Sequence, residues 1–224
     1  MLSPQTVEVE DLFDKYISDK KNLYVIKSSK KEAKFKKGKT DKKIVWDISY
    51  KGYNNLKLSL LGFNQTDNAL CVLDALDILK KEGYCIKDKA VFSAFENAFW
   101  PARFEIIEKK NTYILDGAHN IDAVRVLFEN INMYFTNRNL IYIMGMYKDK
   151  AYEEVAEKYA SKAKAIVTVT PKDSKRALNA FELGKIIKDY NENVTASDSY
   201  CEALEIAELL SDKKDVILIF GSLS

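Results

Sequence analysis

Residues 111–145 read NTYILDGAHNIDAVRVLFENINMYFTNRNLIYIMG. Three patterns follow one another in this stretch. "NTYILD" is a short apolar run of the kind that forms a strand, and "GAHN" is a turn of small and polar residues. "NIDAVRVLFENINMYF" then has helical periodicity, and "NLIYIMG" is a second buried-type strand. A strand, a turn, a helix and a strand in this order form the unit of a parallel sheet. Downstream the alternation continues, with strand "KAIVTVT", a helix around "NAFELGKIIKDY", a short "NVTAS", helix "SYCEALEIAELLS" and strand "DVILIFGS". "KAYEEVAEKYASKA" supplies the helix between the second and third strands. The strands are short and almost wholly apolar, which suits burial on both faces. The pattern predicts a doubly wound, mostly parallel α/β domain of about 120 residues.

Upstream, "RFEIIEK" reads as a further strand, and Pro101 is expected to stop the helix before it. The boundary between two domains is placed near residue 100, giving 1–100 and 101–224. The first part mixes elements. "TVEVEDLFDKYISDK" has Val7, Leu12, Phe13, Tyr16 and Ile17 near one helical face, and "NLYVIK" reads as a short strand. "KIVWDISYKGYNNLKLSLLG" alternates on both sides of "KGYNN" and predicts a hairpin. "TDNALCVLDALDILKKEGY" predicts a helix capped by Thr66 or Asp67 and ended by Gly83. "KDKAVFSAFENAF" predicts another helix, so this part is α+β.

Composition narrows the classes of function. The net charge of +2 gives no general pull toward nucleic acid. No apolar run approaches the ~20 residues that cross a bilayer, and the first residues lack the pattern of a secretory signal. Cys71, Cys85 and Cys201 are widely spaced and odd in number, so they read as reduced thiols of a cytoplasmic protein. With a single histidine and no CxxC, a structural zinc is not expected. Nine lysines stand against Glu32 and Asp41 between Lys27 and Lys43. They read as a solvated hairpin or loop, or as a phosphate-facing surface. "KKGKT" in that run is not a P-loop, because Ala33 occupies the place of the required glycine.

Ligands of an open parallel sheet collect beyond the carboxyl ends of its strands. Those ends hold Asp116-Gly117, Gly145, Thr168 to Pro171 and Gly221-Ser222. Asp116 suits a ribose hydroxyl pair, and the helix start after it suits an anion. His119, the only histidine, and Asn120 are expected in the first turn of that helix. There His119 donates to a phosphate or oxyanion, or merely closes the turn. "NQTDNA" places amides and an aspartate at a helix start. "WPARFE" places Arg103 after a Trp-Pro corner, either as an ion pair or as a phosphate ligand.

Together "GFNQTDNA" from Gly62, "WPARFE" from Trp100 and "LDGAHN" from Leu115 resemble the folylpolyglutamate synthase / dihydrofolate synthase family of the Mur ligase superfamily. That family carries G-x-HQ-x-x-NA, WPGR-x-E and LDGAHNP in this order. "SPQ", "GMYKDKAY" and "FGSLS" also look like family landmarks. The resemblance implies a Mur ligase C-terminal domain over 101–224, preceded by the C-terminal portion of the central ATPase domain. It implies an enzyme that uses ATP to phosphorylate a folate or dihydropteroate carboxylate, which the amine of L-glutamate then attacks. It implies nucleotide contacts from Asn68, Arg103 and Asp116, with His119 near the phosphate or the glutamate.

The sequence departs from the family at Asn64, Ala102 and Ile121, in place of histidine, glycine and proline. It also lacks GxxxxGK[ST]. The P-loop and Mg²⁺ ligands are therefore expected in an N-terminal half outside this chain, and the chain alone is expected to be inactive. A Mur-type cell-wall amino-acid ligase and a non-catalytic nucleotide- or partner-binding module are the alternatives. Neither a nucleic-acid nor a membrane partner is expected, and the oligomeric state is open.

Overall fold

The computed structural model describes residues 6–18, 27–40, 43–172 and 175–222, which form two units, Met1–Phe99 and Trp100–Ser224. The expected strand "NLYVIK" lies outside the described residues but for Lys27.

In the first unit, α1 (Val7–Ser18) is helical as its spacing predicts, yet it buries no residue; Val7, Leu12 and Tyr16 stay exposed. The lysine-rich run is an ordered edge strand, β1 (Lys34–Lys39), paired antiparallel to β2 (Ile44–Tyr50). Among the described residues β1 is at the sheet edge, where lysines discourage pairing with another chain. "KKGKT" therefore lies on and just after a strand, not between a strand and a helix.

The β2–β3 hairpin turns more tightly than "KGYNN" suggested. Tyr50 pairs with Tyr53 at the start of β3 (Tyr53–Leu58), leaving only Lys51 and Gly52 in the turn. Their φ angles of 43° and 91° are those of a type I′ turn, which matches the strand twist. Two helices, α2 (Phe63–Lys81) and α3 (Asp88–Glu96), cover the sheet; Ile48, Leu56, Leu70, Leu73 and Val91 are among the buried residues.

Two boundaries differ from expectation. Helix α2 begins at Phe63, so Thr66 lies inside it, with its hydroxyl donating to the Phe63 carbonyl at 2.6 Å. Helix α3 ends at Glu96, capped at Asn97, so Pro101 is not what stops it. The buried Asp74 of α2 accepts from Tyr50 Oη and Lys51 Nζ, each at 2.8 Å, and so ties the helix to the hairpin turn.

The second unit contains β4 (Glu105–Glu108), β5 (Thr112–Asp116), α4 (Ile121–Tyr134), β6 (Leu140–Gly145), α5 (Tyr152–Tyr159), β7 (Ala165–Thr168), α6 (Ala180–Lys188), β8 (Val194–Ala196), α7 (Tyr200–Leu210) and β9 (Val216–Gly221). The sheet order is β4-β5-β9-β6-β7-β8, with β4 antiparallel and the rest parallel. From β5 to β8 the chain moves one way across the sheet; the last crossover returns it to the gap between β5 and β6.

Right-handed crossovers put helices on one face for one direction and on the opposite face for the other. Side-chain alternation shows this. Phe128 of α4 packs on Tyr142, Phe220 and Tyr159 of α5, and Thr168 donates to Ala180 of α6. Ala203 and Ala207 of α7 pack among Ile141, Ile143, Val167 and Ile217. The domain is therefore doubly wound, as the alternation predicts, and its switch point lies where β5, β9 and β6 end together.

Candidate active site

At the carboxyl end of β5, Asp116 uses both carboxylate oxygens. Oδ2 accepts the Phe104 N–H and Oδ1 the Ala118 N–H, each at 2.9 Å. The Gly117 N–H donates to the Ala102 carbonyl at 2.9 Å, and the Ala102 N–H to Glu105 Oε2 at 3.0 Å. "WPARFE" and "LDGAHN" are thus stapled to each other through backbone groups.

Two non-glycine residues of this loop adopt left-handed backbone, Ala102 at φ 51° and Phe104 at φ 47°. Ala102 stands where the resembling family carries glycine, so the geometry accounts for that preference. The kinks bury Phe104 against Tyr134, ring centroids 5.4 Å apart, and leave Arg103 exposed between them. Burial raises the Asp116 pKa above the ordinary aspartate value, while the two N–H bonds and the Arg103 charge act against the rise.

Asn120 caps α4, with Oδ1 accepting the Ala123 N–H at 2.9 Å. His119 therefore precedes the helix and is not in its first turn. Its Nδ1 lies 2.8 Å from the Gly117 carbonyl. A carbonyl only accepts, so the proton belongs on Nδ1, which leaves Nε2 as the nitrogen open to a ligand.

The facing wall comes from β6 and β9. The Ser222 N–H donates to the Gly145 carbonyl at 2.8 Å, and the Tyr147 N–H to Ser222 Oγ at 3.3 Å. A bridge between Tyr147 and Ala177 brings in Arg176, whose guanidinium stacks 4.6 Å from the Tyr147 ring and pairs with Asp149 at 3.2 Å. A cavity of about 600 Å³ results, lined among others by Trp100, Arg103, Asp116, His119, Lys150 and Arg176. Arg103, Lys150 and Arg176 stand against Asp116 and against Asp149, which pairs with the latter two, so the balance still favours an anionic ligand.

Of the residues singled out from sequence, Arg103, Asp116 and His119 meet at this cavity. Asn68 belongs to the first unit, exposed on α2, where it donates to Gln65 Oε1 at 3.1 Å. Among the described residues no cluster of three His, Cys, Asp or Glu side chains could hold a metal ion, so no metal ligand is assigned. No helix among them is long and apolar enough to cross a membrane.

Residues 102–223, more than half of the chain, match the family model described as Mur ligase, glutamate ligase domain. The chain belongs to the Mur ligase family. The resemblance carried by its three motifs therefore holds. The dihydrofolate synthase/folylpolyglutamate synthase of Bacillus subtilis is 31% identical over 176 residues, 77% of this chain and 40% of that protein. The folylpolyglutamate synthase of Thermotoga maritima shares the fold at a TM-score of 0.75 and 26% identity, covering 98% of this chain and 50% of that one. A Mycobacterium tuberculosis folylpolyglutamate synthase, solved with ADP and AMPPCP, shares it at 0.81 and 20% identity, with 99% and 52% covered. The chain spans 40% of the Bacillus relative's length and about half of each of these structures.

Within this Mur ligase domain, sequence reading missed Arg176. It lies more than 50 residues from Arg103, Asp116 and His119 and arrives through the Tyr147–Ala177 bridge, for which the sequence carries no local signal. Lys150 was visible only inside the landmark "GMYKDKAY".

Proposed function

We propose that this chain carries one wall of the active site of an ATP-dependent ligase that adds L-glutamate to a folate or dihydropteroate carboxylate. The observation that carries the proposal is the cavity at the switch point, where Arg103 is presented to solvent by a stapled loop beside His119, Lys150 and Arg176. The Bacillus relative bears both synthase names. ATP supplies the phosphoryl group that activates the carboxylate; this chain's residues bind and orient. Arg103 holds a nucleotide phosphate by charge-assisted hydrogen bonds. Asp116 fixes the loop that aims Arg103 and keeps acceptor capacity on its partly exposed side for a ribose hydroxyl. Nε2 of His119 meets the phosphate or glutamate side of the reaction, and Lys150 and Arg176 supply positive charge for the glutamate carboxylates.

The first unit is proposed to be the C-terminal portion of a central ATPase domain. The 224 residues contain no GxxxxGK[ST]. The P-loop and the Mg²⁺ ligands are accordingly proposed to come from polypeptide beyond these residues, and the protein to act in the cytoplasm.

Calorimetry tests the reading. The chain is expected to bind ADP, and Arg103→Met to weaken binding about 10- to 100-fold, as loss of a charged hydrogen bond implies, with unchanged circular dichroism. Glutamate-dependent ADP release is expected to be absent from the chain alone. Equal ADP affinity in Arg103→Met would sink the phosphate assignment, and robust ligase activity from the chain alone would sink the shared-site proposal.

A further inference from the structure

The chain has two tryptophans, and they are treated oppositely. Trp46 is 5% exposed, whereas Trp100 is 66% exposed on the cavity rim. Tryptophan is on average strongly buried, so a ring left open at a site calls for an occupant. The backbone beneath it is held rigidly. Pro101 fixes its own φ, and Ala102 is bonded through both its N–H and its carbonyl. A flat ring on a fixed base binds a planar partner with little ordering cost.

Beside it stand Arg103, with no hydrogen bond or ion pair among the described residues, and a rim of further cations. A ligand that satisfies both features carries an anion and a flat heteroaromatic ring. We propose that Trp100 is a stacking platform for the base of the nucleotide, a proposal that rests on the nucleotide reading above. Stacking on an aromatic side chain is tolerant of base identity, so the platform contributes affinity for purine nucleotides in general while Arg103 meets the phosphate.

The arrangement supplies its own probe, because Trp100 is the solvent-facing emitter of the pair. ADP and adenosine are expected to quench the chain's tryptophan emission, and tripolyphosphate to leave it unchanged. In calorimetry, Trp100→Leu is expected to weaken ADP about tenfold and Trp100→Phe less than about threefold, with tripolyphosphate affinity the same in all three proteins.

Four outcomes overturn the proposal. Unchanged ADP affinity in Trp100→Leu removes the platform and leaves the nucleotide site standing. Equal weakening of ADP and tripolyphosphate means that Trp100 only supports the loop. Quenching by dihydropteroate but not by ADP assigns the ring to the pterin. Absence of any ADP binding, in this chain and in Arg103→Met alike, removes the nucleotide reading together with the platform.

Discussion

Asp116 is the residue at which motif and geometry diverge most. Its place at the end of β5 suggests a ligand contact, yet both of its oxygens are engaged by backbone N–H groups of two buried residues, Phe104 and Ala118. Asp116→Ala leaves those donors without partners, each costing about 1–3 kcal/mol. A loss of about 2–4 kcal/mol in urea denaturation is expected even without nucleotide, and unchanged stability would refute the staple. Arg103 is therefore the cleaner probe of binding. Ala102 offers the reverse test. Its left-handed backbone costs about 1–2 kcal/mol, which Ala102→Gly relieves at the expense of a more flexible unfolded chain. The substitution is expected to be neutral or stabilising by roughly 0.5 kcal/mol, against the ~1 kcal/mol loss it brings in a helix. A fall of that size in the denaturation free energy would show that the loop does not need the conformation.

At the level of elements, β9 closes the second unit by filling the space between β5 and β6. Gly221, at its end, has φ 120°, and a Cβ there would lie 2.0 Å from the Gly145 carbonyl oxygen. Backbone cannot yield as a flexible side chain does. Gly221→Ala is expected to cost more than about 3 kcal/mol or to abolish soluble expression; a melting temperature within 2 °C of the parent, roughly the effect of a sub-kcal/mol change, would contradict the close approach. The first unit has its own clamp in Lys51, Tyr50 and Asp74. Burial alone would raise the Asp74 pKa, but hydrogen bonds from Lys51 and Tyr50 help to outweigh it and hold the carboxyl below its usual value. Lys51→Met leaves that buried carboxylate short of its cation. A loss of about 2 kcal/mol near pH 7 is expected, shrinking in acid as Asp74 takes up a proton. A pH-independent loss would place the effect in the turn instead.

Across the whole molecule, two carboxylates at structural positions contribute to acid stability. Asp74 serves the first unit. Asp215 serves the second, where burial is outweighed by the Asp212 N–H, Lys164 and Asn139, so its pKa too is held low. Both folded values lie below the unfolded value of about 3.9. Their contribution is therefore complete above about pH 4 and is lost as the pH falls through the folded values. Asp116 acts with the opposite sign. Its folded pKa is raised, so the folded state binds its proton first and gains stability as the pH falls through that value. Denaturation midpoints are expected to hold from pH 7 to about pH 5 and to drop below about pH 4, with Asp215→Asn flattening the drop. A steep loss between pH 7 and pH 5 would assign acid stability to other groups.

How much of this was legible in the sequence follows from the range of each interaction. Strand and helix identity depends on neighbours a few residues apart, so the alternation over 101–224 and the doubly wound class could be read directly. The motifs around Arg103, Asp116 and His119 were visible for the same reason, and they pointed to the family. What they do there was not visible. The staple joins Ala102 and Phe104 to Asp116 and Gly117 only after β4 and β5 pair, and it makes Asp116 a loop anchor in addition to the ligand contact proposed for it. The insertion of β9 between β5 and β6 is a pairing across about 100 residues, and the arrival of Arg176 depends on a bridge to Tyr147. Local sequence determined which elements this chain forms; the tertiary structure alone decided which side chains face one another across the cavity, because facing is set by long-range strand pairing and close backbone contact.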